Sequence, residues 1–322
     1  MCRVPAILNP FADAAPNRRR ARRPAAALVV VCLTVPAPTA ALGWGEAGHR
    51  IISRLATARL SPETRRAVES LLDGRSIEDV SLWADEVRRL PQYQWSAPLH
   101  YVNVPPEATG FDMARDCPPE GCVVSAILRF QAELRDPAAG RRQRREALQF
   151  LVHFVMDVHQ PLHVGRRSDR GGNDIRVRFE GRHTDLHALW DTGLIEQAGL
   201  GIGEHVRRIE RLITPEAAGT WAGCLDAAAW ATESFLLARD WAYRISPDEP
   251  VGREYRERGL DICHRRIAQA AVRLAALLEK LFADPATASG PAAASTPAST
   301  PVAVPGGAAS DVPAAAGVPQ GR

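Results

Sequence analysis

The 322-residue sequence predicts an all-α fold, a mainly helical single domain carrying one small β-hairpin. Three observations carry that expectation. Apolar residues recur at helical spacing over most of the chain between residues 45 and 282, beginning with Ile51, Ile52, Leu55 and Ala56. Helix-start chemistry accompanies the pattern, as in Ser61-Pro62-Glu63, an N-cap followed by a first-turn Pro and an acidic residue. Strand-like alternation is confined to Ile175-Arg-Val177-Arg-Phe179, which Glu180-Gly181 can turn back as a hairpin.

In order, the first helix lies around Ile51–Ala56, and the second uses Val68, Leu71 and Leu72 as its apolar face before Asp73-Gly74 ends it. A third is expected from Ile77 to Leu90, carrying Trp83-Ala-Asp85-Glu-Val-Arg88. Residues 91–121 are irregular and rich in Pro, with Leu99–Val104 as a short extended run. Helices resume at about Val123–Leu134 and Arg144–His159. After the hairpin come Leu186–Ala198, Glu204–Leu212, Gly219–Arg239 and Glu254–Phe282. Residues 284–322 are Ala, Pro, Ser, Thr and Gly without periodicity and read as a disordered tail. No internal repeat, transmembrane helix, Gly-rich phosphate loop or Gly-x-Ser-x-Gly is visible.

Residues 1–43 read as an export leader: Arg18–Arg23 is a basic run, Ala25–Val35 is apolar, and Ala41-Leu42-Gly43 is small where cleavage requires it. The apolar run is too short to span a bilayer. Cleavage after Gly43 would leave Trp44 as the mature N-terminus, in a secreted or periplasmic protein. The full chain has a formal charge of +3. Six arginines and one aspartate leave with the leader, so 34 basic face 36 acidic residues afterwards. That balance argues against a duplex binder working by phosphate neutralisation. Cys117, Cys122, Cys224 and Cys263 remain, an even number that favours disulfides in an exported chain. The turn-rich Pro-Pro-Glu-Gly between Cys117 and Cys122 can bring those two together, and Cys224–Cys263 follows by elimination.

The chemistry concentrates in His153-Phe-Val-Met-Asp157-Val-His159-Gln-Pro161-Leu-His163. His153 and Asp157, four apart, share a helix face and can chelate one ion. Pro161 ends that helix, so His163 leaves at another angle. A single such pair is more simply a buried helix with hydrogen-bonded histidines. A second pair, His187-Ala-Leu-Trp-Asp191, makes core packing alone a poor explanation. His49, His100 and Asp85 add donors that taken singly are ordinary.

These residues resemble the S1/P1 nucleases, secreted zinc-dependent enzymes. The resemblance rests on Trp44-Gly-x3-His49, Trp83-Ala-Asp85, His100-Tyr101, His153-x3-Asp157-x2-Gln-Pro-Leu-His163, Gly171-Gly172-Asn173 and Leu186-His187-x2-Trp-Asp191. It implies a phospholipase C/P1 nuclease-like helical fold, with residues 44–283 as the catalytic domain, and three Zn2+ ions per chain. One ion would take Asp85, His100, His153 and Asp157, a second His163, His187 and Asp191, and a third His49, Asp157 and Trp44. Trp44 would use its α-amino nitrogen and carbonyl oxygen; an α-amino group has a pKa near ~7.7, so it can offer a lone pair near neutral pH. Asp157 would bridge two ions. His159, His183, His205 and His264 are left without a ligand role.

The resemblance further implies cleavage of single-stranded DNA and RNA to 5′-phosphorylated products, with 3′-nucleotidase activity, by a monomer with no stable protein partner and no membrane. Asp85 and Arg88 take catalytic roles, Arg88 contacting the phosphate. Tyr101 would stack on a base, Asn103 would meet a base edge and Asn173 would line the cleft. Asn103 stands where fungal members often have Asp, which leaves base preference open. Two rival functions remain. Zinc-dependent phospholipases C share the fold, but typically carry Glu where Asp191 stands and space Trp and His differently. A non-catalytic zinc-binding protein would need neither Arg88 nor Tyr101.

Overall fold

Helices dominate because the apolar residues sit on stripes that can be buried only against one another. The computed structural model describes residues 44–283; the expected leader 1–43 and tail 284–322 lie outside the described residues. Helix α1 (Glu46–Thr57) buries His49, Ile51, Ile52, Leu55 and Ala56 and packs along the long helix that closes the domain. Ser61 caps α2 (Pro62–Leu71) by accepting from the Thr64 amide at 3.2 Å. Asp73 (φ 56°) and Gly74 (φ 82°) end it in the left-handed region, as the Asp-Gly pair predicts.

The expected helix Ile77–Leu90 is two short ones, α3 (Ile77–Val80) and α4 (Trp83–Val87), parted at Ser81-Leu82. The Ser81 carbonyl there accepts from the His153 ring at 2.7 Å. Residues Pro91–His100 form 3-10 turns, so only Tyr101 onward is extended, not Leu99–Val104 as a whole. Val102 and Val104 donate to the His163 and Gly165 carbonyls at 2.8 and 3.0 Å, tying this segment to the one after α7. Short α5 (Met113–Asp116) precedes α6 (Val123–Arg135), which packs on α7 (Arg141–Asp157).

Helix α7 is buried without interruption from Ala147 to Asp157 and forms the centre of the domain. A 3-10 turn, Pro161–Val164, follows it. The hairpin pairs β1 (Arg176–Phe179) with β2 (Arg182–Asp185), Val177 opposite Thr184. Glu180 and Gly181, at φ 48° and 75°, supply the two left-handed residues a tight hairpin turn demands. Then α8 (Leu186–Ala188) runs through a π-turn, Leu189–Gly193, into α9 (Leu194–Glu196).

After α10 (Ile202–Glu210), the expected helix Gly219–Arg239 is again two, α11 (Pro215–Ala222) and α12 (Ala227–Leu237). Asp226 separates them because its carboxylate caps the Ala228 amide at 2.9 Å, starting a new helix. Finally α13 (Arg253–Phe282), thirty residues and so about 45 Å long, backs α1, α7 and α11.

Cys117 and Cys122 are bonded, as expected, at the entrance to α6. The Cys224–Cys263 pairing is not made. Cys263 is a free thiol with no exposed surface, because it sits on the core-facing side of α13. Elimination fails here because it weighs only the number of cysteines and not which helix face each occupies.

Candidate metal centre

The centre is built where α1, α4, α7 and the Pro161 and Leu189 turns converge. His153 and Asp157 project from one face of α7, with Nε2 of His153 at 3.1 Å from Oδ2 of Asp157. His100, at the end of the 3-10 stretch, brings Nδ1 to 2.9 Å from the same Oδ2. Asp85 on α4 lies 3.6 Å from His100 and 3.7 Å from His153. Oδ1 of Asp157 faces the other way, 3.5 Å from His49 Nε2, and the His49 and His153 rings stack at 4.5 Å. Across the site, His187 Nε2 is 3.4 Å and His163 Nε2 3.9 Å from the Asp191 carboxylate.

Three groups therefore have donor atoms close enough to hold a cation: His49, His153 and Asp157; Asp85, His100 and His153; and His163, His187 and Asp191. All of these residues are buried. Trp44 is buried too, its indole donating to the Met156 carbonyl at 3.0 Å and its own carbonyl turned to His49 Nδ1. A Cβ on Gly48 would lie 2.8 Å from Trp44 Cβ, so only glycine lets the indole cross α1 there.

The orientation of the rings is set from behind. His153, His163 and His187 point Nδ1 at the carbonyls of Ser81, His100 and Gly171, at 2.7, 2.8 and 2.7 Å. A carbonyl only accepts, so Nδ1 carries a proton and Nε2 is the nitrogen that faces the centre. Gly171 reaches its place at φ 66°, where a Cβ would meet the Leu162 carbonyl at 2.7 Å. The π-turn carries Asp191, and Gln160 holds that carboxylate through its side-chain amide while accepting from the Leu162 amide at 2.5 Å. Gln160 belongs to the Gln-Pro-Leu-His motif, but its spacing from Asp191 gives no sign of this contact.

The donor set asks for cations. Nε2 of His49, both oxygens of Asp85 and Oδ1 of Asp157 are buried with no hydrogen-bond partner among the described residues. Burial without partners costs several kcal/mol per charged group, which a cation would relieve. Burial drives the His163 imidazole down to about 3 and pushes the Asp191 carboxyl well above its usual range. His153 behaves oppositely: burial opposes its protonation, but the Asp157 and Asp85 charges outweigh that and raise it to about 9. Asp157 stays well below the usual range despite burial, chiefly through His153 and His163. Imidazole and carboxylate donors of this kind suit zinc.

Beside the centre, Arg88 places Nη2 at 3.4 Å from Asp85 Oδ1, with its side chain mostly buried. Tyr101 is 45% exposed and, with Asn103, Arg166 and Arg167, lines a groove of about 460 Å3. Its exposure leaves the ring free to meet a ligand. Asn173 sits in the turn before the hairpin, its amide donating to the Arg170 carbonyl at 2.7 Å. Of the remaining histidines, His205 and His264 face each other at 3.0 Å, His183 is on the exposed part of β2, and His159 is buried behind α7.

A mainly helical chain that brings three buried histidine–aspartate groups together defines a class, helical proteins whose interior could hold several metal ions. Comparison with known proteins narrows the class. The chain belongs to the S1/P1 nuclease family, whose profile matches residues 44–283. Endonuclease 2 of Arabidopsis thaliana is 37% identical over 281 residues, covering 79% of this chain and 96% of that protein. Nuclease S1 of Aspergillus oryzae is 30% identical, covering 79% and 98%. Nuclease P1 of Penicillium citrinum is 37% identical over 155 residues, 46% of this chain and 57% of that one. The chain is accordingly a hydrolase of the endonuclease kind.

Proposed function

We propose that this chain is an exported, zinc-dependent endonuclease that cleaves single-stranded DNA and RNA to 5′-phosphorylated products and also acts as a 3′-nucleotidase. The observation that carries the reading is Asp157, a buried carboxylate whose two oxygens face histidines on different elements, His49 and His100. Residues 44–283 are the catalytic domain, freed from a leader at Trp44. Among the described residues no helix is long and apolar enough to cross a membrane.

Asp85, His100, His153 and Asp157 would hold one ion, His163, His187 and Asp191 another, and His49, Asp157 and Trp44 the third. Ions bound there would supply Lewis acidity toward phosphoryl oxygens and lower the pKa of water toward neutrality. Water attacks phosphorus, the bond from phosphorus to the 3′ oxygen breaks, and phosphate stays on the 5′ side. Arg88, braced by Asp85, stabilises the charge that builds on the phosphoryl oxygens. Tyr101 stacks on a base, which any base permits and which favours unpaired strands. Asn103 offers a donor and an acceptor to the base edge, and Asn173 lines the cleft.

The test is to offer the purified mature protein single-stranded DNA, RNA and phosphatidylcholine vesicles, with zinc per chain and the N-terminal residue determined alongside. Endonucleolytic cleavage leaving 5′-phosphates, three zinc ions and an N-terminal Trp44 are expected. Lipid hydrolysis without nucleic-acid cleavage would replace this reading with the phospholipase one, and tight zinc without turnover would replace it with a storage role.

A further inference from the structure

Around the C-terminal end of α7 and residues 158–160 just beyond it lies a second buried polar cluster. The last carbonyls of a helix have no partner within it and must find one elsewhere. Here the Phe154, Met156 and Asp157 carbonyls accept from the amides of Val158, His159 and Gln160, and the cluster takes those of Val155, Val158 and His159. Val155 O accepts from His159 Nδ1 at 2.7 Å, Val158 O from the Ser234 hydroxyl at 2.5 Å, and His159 O from Arg266 Nε at 3.1 Å.

Arg266 donates further to Glu233 Oε2 at 2.5 Å, Gln269 Oε1 at 2.7 Å, Ser234 Oγ at 2.7 Å and Trp230 O at 3.2 Å. Arg273 spans the other side, donating to both Glu233 oxygens at 2.7 Å and to His159 Nε2 at 3.0 Å. A guanidinium can only donate, so His159 Nε2 accepts and its proton stays on Nδ1, aimed at Val155. All of these side chains are buried, with Arg266 1% and Arg273 2% exposed.

Two arginines and one glutamate in a core are a poor way to gain stability, since apolar side chains of similar volume do as well or better. What they add is direction, because each guanidinium fixes several partners at once. The partners fixed are the residues next to Asp157 and just before Gln160, which holds Asp191. Metal ligands tolerate displacement of only about 0.5 Å.

We propose that Glu233, Arg266 and Arg273 are positioning residues that act through His159 and Ser234 to fix the 158–160 turn, and so set Asp157 and Gln160 for cation binding. The inference rests on the zinc reading above. In this arrangement His159 is the strut between α7 and α13 rather than a ligand.

The test uses Arg273→Met, Arg273→Lys and Ser234→Ala, with Arg265→Met on the exposed side of α13 as a control. Zinc affinity is read by competition with a chromogenic chelator, together with circular dichroism, and kcat and KM on single-stranded DNA. Folded Arg273→Met should bind zinc about 10- to 100-fold more weakly, the range seen for groups that orient metal ligands. Its kcat should fall while KM stays within about twofold, because Tyr101 and Asn103 are untouched. Arg273→Lys should recover part of the affinity, and Arg265→Met should match wild type.

If Arg273→Met does not fold, Ser234→Ala decides, with a several-fold loss of zinc affinity expected. Wild-type affinity and kcat in a folded Arg273→Met or Ser234→Ala would overturn the proposal. Wild-type protein that bound no zinc would instead refute the metal reading on which it rests.

Discussion

Replacing Asp157 by Asn keeps the shape of the side chain and removes its charge, which isolates the electrostatic role of one residue. Asp157 has no exposed surface, and its Oδ2 lies 2.9 Å from His100 and 3.1 Å from His153 while Oδ1 lies 3.5 Å from His49. Under the proposed ligand assignment this one carboxylate serves two ions, so the substitution would weaken two sites. A charge-assisted contact contributes about 1.5–3 kcal/mol. Two lost together amount to about 3–6 kcal/mol, or roughly 10^2- to 10^4-fold in combined zinc affinity. His163→Ala removes a donor from the group with His187 and Asp191 and leaves the Asp157 carboxylate in place, 3.7 Å from where His163 Nδ1 stood, and should lose about half that free energy. The assay is zinc per chain after dialysis against a fixed zinc buffer, with the rate on single-stranded DNA measured on the same samples. Equal zinc retention and equal rates in the two variants would refute the shared role of Asp157.

Arg88→Ala should lower kcat by about 10^2- to 10^3-fold with zinc content unchanged, as removal of a group that stabilises developing charge does; steady-state rates beside zinc analysis check it. Tyr101→Ala should raise KM on single strands by about 1–3 kcal/mol of lost stacking while leaving the melting temperature unchanged, since the ring is exposed. Glu233 titrates below the usual carboxylate range because Arg273 and Arg266 outweigh its burial. Its ionised form therefore favours the fold: the contribution is complete above the ordinary glutamate pKa and is lost as pH falls through the depressed one. Melting temperatures of metal-stripped protein from pH 7 to pH 3 should drop more steeply for wild type than for Glu233→Gln across that acid range, and parallel curves would count against it.

Much of the fold is legible wherever a local signal decides it. Ser61-Pro62-Glu63 starts α2, Asp73-Gly74 ends it, and Glu180-Gly181 turns the hairpin, because each signal acts on backbone atoms a few residues away. The split of the 215–237 region is also written locally, in Gly223 and the capping Asp226, but the apolar spacing across it masks the break. The interruption at Ser81 is different in kind. Neither Pro nor Gly marks it, and its carbonyl is engaged by His153, 72 positions away.

The same contrast holds for the centre. Its His and Asp donors stand out by residue type and spacing. The carbonyls of Ser81, His100 and Gly171 that orient them have no signature, because every residue has a carbonyl. Glu233, Arg266 and Arg273 are hidden for another reason. Charges on helices usually face water, and only the packing of α12 on the Pro161–Val164 turn and of α13 on α7 turns these three inward.

Cys263 has one more consequence. Its thiol is fully buried on α13, and burial raises its pKa, so both access and ionisation suppress reaction with a disulfide reagent in the native state. Cys117 and Cys122, bonded to each other, and Cys224, also in a disulfide, offer no thiol to such a reagent. Labelling of Cys263 should therefore wait on opening of the helix that carries Arg266 and Arg273. The chain holds a clock for its own breathing, wound by the packing of α13 and readable from outside with a coloured thiol reagent.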